Sequence, residues 1–180
     1  MNKELKLLAL GLALSTAICS PGAEAAGAKL NVQSSAIKDG AVVPKKHTGD
    51  GEDNSPALAW SAGPAGTKSY ALTCEDPDAP GGTWWHWILF NISPETQQLG
   101  EKVPKVAKLA QGVTQGNNDF GKPGYNGPAP PPGKLHHYQF KVVALDTVLS
   151  LPPGCNKEAY KQAIKGHVLA EGQVVGTYQR

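Results

Sequence analysis

Short apolar runs, broken at close intervals by glycine and proline, organise this chain. From Ser69 to Cys74 the pattern alternates: Tyr70, Leu72 and Cys74 share one face, Ser69, Ala71 and Thr73 the other. That is the period of a strand lying against a core, and extending it puts Asp76 on the Tyr70 side. Trp85 to Ile92 is apolar almost throughout, as expected of a strand buried on both faces. His136 to Leu145 alternates again, with His136, Tyr138, Phe140, Val142 and Ala144 on one face and His137, Gln139 and Lys141 on the other. The adjacent histidines therefore point opposite ways, and His136 is the inward one.

Further along, Asn156 is placed to cap a helix starting at Lys157, with Tyr160, Ala163, Ile164 and His167 at helical spacing. Gly166 disturbs its last turn, and Gln173 to Tyr178 reads as a short closing strand. Between Gly112 and Lys134 the chain is rich in Gly, Asn and Pro without periodicity. A loop that long inside a compact domain usually serves a function. These elements predict a mainly β fold, a β-sandwich with one or two short late helices.

The first residues carry Lys3 and Lys6, then an apolar run from Leu7 to Ile18, then small residues ending in Ala23-Glu24-Ala25-Ala26. This is the layout of a secretory signal over residues 1–25, too short in its apolar part to anchor permanently. Ile18, rather than a small residue, precedes Cys19, which argues against lipidation there. Residues 26–180 then form one domain, periplasmic or secreted, with no further apolar segment able to cross a membrane. The formal net charge is only +2, which supports neither a nucleic-acid surface nor a polybasic membrane patch. Export makes Cys74 and Cys155 a candidate disulfide. Equally, Cys74 reads as a small buried strand residue and Cys155 as a free thiol near a helix start. The deciding quantity is their Cα separation.

The chemistry concentrates in Asp76-Pro77-Asp78-Ala79-Pro80-Gly81-Gly82-Thr83-Trp84-Trp85-His86-Trp87. A rigid polar turn running into an aromatic strand looks like the rim of a pocket. There is no G-x-S-x-G elbow, no catalytic cysteine motif, no metal-ligand spacing and no phosphate-cradling glycine loop before a helix. No cofactor is implied. Asp78 is read as a turn former and Trp84, Trp85 and Trp87 as packing residues. The run from Gly127 to Gly133, Gly-Pro-Ala-Pro-Pro-Pro-Gly, reads as a stiff wall for a preformed pocket, or else a polyproline stretch for a partner domain.

Together these residues resemble the phosphatidylethanolamine-binding protein family, which includes Raf kinase inhibitor proteins and plant flowering regulators. The resemblance rests on Asp76-Pro77-Asp78-Ala79-Pro80, on Trp85-His86-Trp87 leading to Asn91, on Gly127-Pro128-Ala129-Pro130-Pro131 and on His136-His137-Tyr138. Asp53-Asn54-Ser55-Pro56, Asn118-Asp119-Phe120-Gly121 before Gly124-Tyr125, and Gly176-Thr177-Tyr178 support it. The C-terminal motifs look like the bacterial branch, particularly its exported members. The resemblance implies a Greek-key antiparallel β-sandwich with a small anion pocket near one end. Its rim would be Asp76, His86, His136 and Tyr138 with Gly127, Pro128 and Pro130 of the proline loop, and Tyr125 as a further candidate. In this reading Asp76 orients His86, and His86, His136 and Tyr138 donate hydrogen bonds to a phosphate-like anion or phospholipid headgroup. The arginine of the family's H-R-Y segment is His137 here.

The leading expectation is an exported, non-catalytic binding protein. One alternative is a kinase- or protease-inhibitor-like or host-interaction protein acting on a protein partner through the pocket rim. Another is a weak phosphoester hydrolase using Asp76 and His86 as an acid–base pair. A homodimer is compatible with either binding role.

Overall fold

The computed structural model describes residues 28–180; the export signal read over residues 1–25 lies outside them. In chain order the elements are β1 (Ala28–Lys29), β2 (Val32–Gln33), β3 (Leu58–Trp60), β4 (Ser69–Asp76), β5 (Trp84–Ile92), β6 (Gln98–Leu99), β7 (Thr114–Gln115), β8 (His136–Leu145), α1 (Lys157–Ile164) and β9 (Val168–Tyr178). They form a six-stranded sheet, β1-β9-β8-β4-β5-β7, and a three-stranded sheet, β2-β3-β6. Every pairing is antiparallel except β1 with β9. β8 returns beside β4 from far along the chain, the long connection that gives the sandwich its Greek-key character.

The large sheet is covered on both sides. Tyr70, Leu72 and Cys74 of β4 join Tyr138, Phe140, Val142 and Ala144 of β8 in a core facing the small sheet, with Leu58 and Trp60 opposite. The other face of the same strands, Ala71, Ile88, Phe90, Val143 and Leu145, packs under α1 around Tyr160. This second layer explains why β5 is apolar on both sides. It also accounts for the helix: Tyr160 is the side chain through which α1 is buried, and burying such a ring is worth about 2 kcal/mol. Asn156 Oδ1 accepts from the Ala159 N–H at 2.9 Å, the expected N-cap. The helix stops at Ile164, before Gly166, whose φ of 81° reverses the chain. His167 therefore falls outside the helix, bonding Asp146 instead. The closing strand is longer than the sequence suggested, since β9 pairs with β8 along its whole length.

Two irregularities interrupt the regular alternation of β5. Cys74 pairs with Trp87 but Glu75 pairs with Trp85, so β5 carries one extra residue there; a second shift lies between Tyr70 and Leu72. At the second, Asn91 takes a φ of 60°, and its side chain both donates to and accepts from the Leu149 backbone. At the first, the bulge re-aims side chains. Trp87 enters the inner core while Trp85, two residues away, turns to the outer one.

The disulfide does not form. Cys74 and Cys155 are both free thiols. Cys74 belongs to the inner core, and Cys155 to the outer one beside α1, so the sheet itself stands between them. Among the described residues no helix is long and apolar enough to cross a membrane.

The mass of the unreduced protein will accordingly show no two-hydrogen deficit, and alkylation will reach Cys74 and Cys155 only after unfolding. Substituting Asn156→Ala will lower stability by about 1 kcal/mol in denaturant titration, with the fold retained.

Candidate functional site

A cavity of about 450 Å³ opens where β4, β5 and β8 end, walled by the turn after Asp76, the 112–134 loop and the start of α1. Asp76, His86, His136 and Tyr138 all line it, as does Pro130. Strand parity accounts for three of these four. Continuing the Glu75–Gln139 pairing sets Asp76 opposite Tyr138, with His136 diagonally adjacent on the same face. His86 arrives by another route. Simple alternation would turn it away from Trp87, but the bulge brings both to the inner side. There its ring meets Tyr138 edge-on at 5.2 Å and Phe120 at 5.4 Å.

The hydrogen bonds correct one assignment. Asp76 orients His136, not His86: its Oδ2 accepts from His136 Nδ1 at 2.7 Å, and the pair is almost wholly buried. Its Oδ1 accepts from the Asp78 N–H at 2.9 Å, so one carboxylate shapes the turn and holds the imidazole together. His86 is instead held by the 112–134 loop, donating from Nδ1 to the Asn126 carbonyl at 2.7 Å. Burial pushes the His86 pKa below its ordinary value, partly offset by the Asn126 carbonyl and by the charges of Asp76 and Asp119. The Tyr138 hydroxyl is buried without a hydrogen-bond partner among the described residues. Burial, and then the negative charge of Asp76, push its pKa far up, so it stays a donor. An unpaired buried hydroxyl facing a cavity is an exception to the usual satisfaction of such groups.

Three expected rim residues are not at the cavity. Tyr125 is buried between Trp87 and Phe140, and its hydroxyl donates to the His47 carbonyl at 2.7 Å. Gly127 donates its N–H to Asp53 Oδ1 at 2.6 Å and lies so close to the His47 and Thr48 backbone that a Cβ would collide with it. The Pro128 carbonyl accepts from Gly49. These residues anchor the loop, and their motif is structural because the loop must press against another backbone. The wall itself is Ala129, Pro130 and Pro131, braced by Arg180, which donates to the Ala129 carbonyl at 3.3 Å and pairs with Asp50.

Other lining residues are not apparent from the sequence pattern. Trp84, expected to serve packing, is 38% exposed and meets Phe120 edge-on at 5.6 Å at the mouth. Asp119 accepts from the Trp85 N–H and from Lys157 Nζ, at 2.7 and 2.8 Å, and both charged groups face the cavity. Asp119 and Phe120 sit in a recognisable motif, but nothing local marks Lys157, which α1 delivers from far along the chain. His137 points outward as expected and bonds Asp78 through both its N–H and its ring. That contact leads the causes holding the Asp78 carboxyl at about 2, with Lys134 adding to it. Among the described residues no group of three or more His, Cys, Asp or Glu side chains is placed to hold a metal ion.

Comparison with known proteins places this architecture. The family model described as phosphatidylethanolamine-binding protein matches residues 33–179. A UPF0098 protein of Methanothermobacter thermautotrophicus is 47% identical over 151 residues, covering 84% of this chain and 99% of that protein. One from Aquifex aeolicus is 44% identical over 158 residues, covering 87% and 92%. Among solved structures, Escherichia coli YbcL, described as a new member of the mammalian PEBP family, superposes with a TM-score of 0.78 at 38% identity, covering 85% of this chain and 99% of that one. Chlamydia trachomatis CT736, described as a putative PEBP homologue, gives 0.76 at 37% identity, covering 84% and 98%. With the family model spanning nearly all the described residues, this chain belongs to the phosphatidylethanolamine-binding protein family.

Proposed function

We propose that the protein is a non-catalytic binding protein whose cavity holds a phosphate-like anion, either free or as a phospholipid headgroup. One observation carries this reading. The Tyr138 hydroxyl, a donor with no partner among the described residues, faces the same preformed cavity as the imidazoles of His86 and His136. Each ring has one nitrogen tied to the protein, leaving the other for a ligand. The proline wall and the buried Asp76–His136 pair keep these groups in place before anything binds, which lowers the entropy cost of binding. The family's name points to the same ligand chemistry. The amino-terminal pattern over residues 1–25 adds export, to the periplasm or outside.

The groups are better suited to hold than to attack. Tyr138 retains its proton, and the Cys74 thiol is kept protonated by burial. A second reading, weak phosphoester hydrolysis, would use Asp76 with His136, the pair that is hydrogen-bonded, rather than Asp76 with His86. A screen of phosphoesters with added divalent metals will be flat if the binding reading holds. Action on a protein partner would engage the exposed Trp84 and Phe120 at the mouth, and would leave a stable complex with negligible binding of isolated anions.

Inorganic phosphate at millimolar concentration will shift the NMR signals of His86, His136 and Tyr138 selectively; no shift at any of the three contradicts the proposal. Tyr138→Phe separates binding from folding. It removes a hydroxyl that has no partner among the described residues, so stability will hold or rise, whereas phosphate affinity will fall roughly tenfold or more, the worth of a hydrogen bond to a charged group.

A further inference from the structure

The hydrogen bonds around the cavity fix its polarity. A backbone carbonyl can only accept, so His86 Nδ1, at 2.7 Å from the Asn126 oxygen, must carry a proton. In the uncharged ring that leaves Nε2 with a bare lone pair, and Nε2 has no hydrogen-bond partner among the described residues. The partner of His86 is neutral, unlike that of His136, whose Nδ1 faces the Asp76 carboxylate. The charged side chains around His86 favour no anion either. Asp76 approaches from β4 and Asp119 from the 112–134 loop, against the single ammonium of Lys157 from α1, which is already bound to Asp119. β8 contributes His136 and the neutral Tyr138. Lys134 and His137 each pair with Asp78, and none of the three lines the cavity; Arg180 is engaged by Asp50.

A fully deprotonated oxyanion entering this cavity would set an oxygen lone pair against the lone pair of Nε2, beside two carboxylates, Asp76 and Asp119, and one ammonium, Lys157, already bound to Asp119. One proton between them converts that repulsion into a charge-assisted hydrogen bond. We propose that the cavity takes an oxyanion together with one proton, held between a ligand oxygen and His86 Nε2. Its ligand class is then the acid that carries or acquires a proton, a phosphate or phosphomonoester monoanion, in preference to a permanently deprotonated anion such as sulfate. The lowered pKa of His86 agrees with this, since burial disfavours the charged ring in the free site. The inference rests on the proposed function, that the cavity binds phosphate-like anions.

Calorimetry tests it with methyl phosphate, whose second pKa is about 6, so that it is a dianion near pH 8. Titration there in two buffers of different ionisation enthalpy will show close to one proton taken up per ligand bound, and affinity will weaken by up to tenfold per pH unit on the alkaline side. Sulfate will bind more weakly than methyl phosphate near pH 6. His86→Gln, which presents a permanent amide donor, will bind with no uptake and a flatter pH profile. Binding by the unaltered protein without proton uptake overturns the inference and leaves the anion-binding reading standing. So does uptake that persists unchanged in a folded His86→Gln protein. Absence of methyl phosphate binding between about pH 5 and pH 8 overturns both.

Discussion

The site depends on one extra residue in β5, a strand packed against a core on each of its faces. β5 lies at the centre of a three-layer arrangement, and regular alternation would place His86 on the face opposite Trp87. The bulge across from Cys74 brings both to the inner side and sends Trp85 to the outer core against Tyr160. The same irregularity thus seats two tryptophans in two different cores and delivers the histidine to the cavity. A bulge at the end of a strand costs ladder hydrogen bonds, and here the freed groups are recaptured. Asp119 accepts from the Trp85 N–H, and the His86 carbonyl accepts from the Asn126 N–H.

That recapture explains the long, glycine-rich loop. The loop is a belt of buried polar contacts: Asn118 donates to the Gly124 carbonyl and to the Asn126 side chain, and Gln115 links Trp87 Nε1 to the carbonyls of Pro104 and Val106. Each such group would cost about 1–3 kcal/mol if left unpaired. Satisfied, they hold the Asn126 carbonyl where it dictates which His86 nitrogen is protonated. Packing, loop geometry and site polarity are consequently one problem; among the described residues His47 Nε2, Trp60 Nε1 and the Tyr138 hydroxyl are buried without partners, and of these three residues Tyr138 is the one that lines the cavity.

Much of this was legible in the chain. Period-two alternation placed Asp76, His136 and Tyr138 on one face, the continuous apolar run of β5 announced two cores, and Asn156 marked its helix. What pattern alone could not supply were the long-range pairings. Asp76 chose His136 across the strands instead of His86 along the chain. Tyr125, Gly127 and Pro128 proved to be anchors because their neighbours, His47, Thr48 and Asp53, lie far away in sequence. Cys74 and Cys155 ended on opposite faces because the second layer that receives Cys155 is built by α1, and Lys157 reached the cavity the same way. Motifs reveal that residues matter together, but whether one faces a ligand or a backbone is decided by partners distant in sequence.

The most direct test is a crystal structure grown with saturating phosphate. The account predicts tetrahedral density inside the cavity, within hydrogen-bond reach of the Tyr138 hydroxyl and of His86 Nε2, with the His86–Asn126 and His136–Asp76 bonds unchanged. Phosphate bound elsewhere with this cavity holding none, or an anion that displaces His86 from the Asn126 carbonyl, would contradict it.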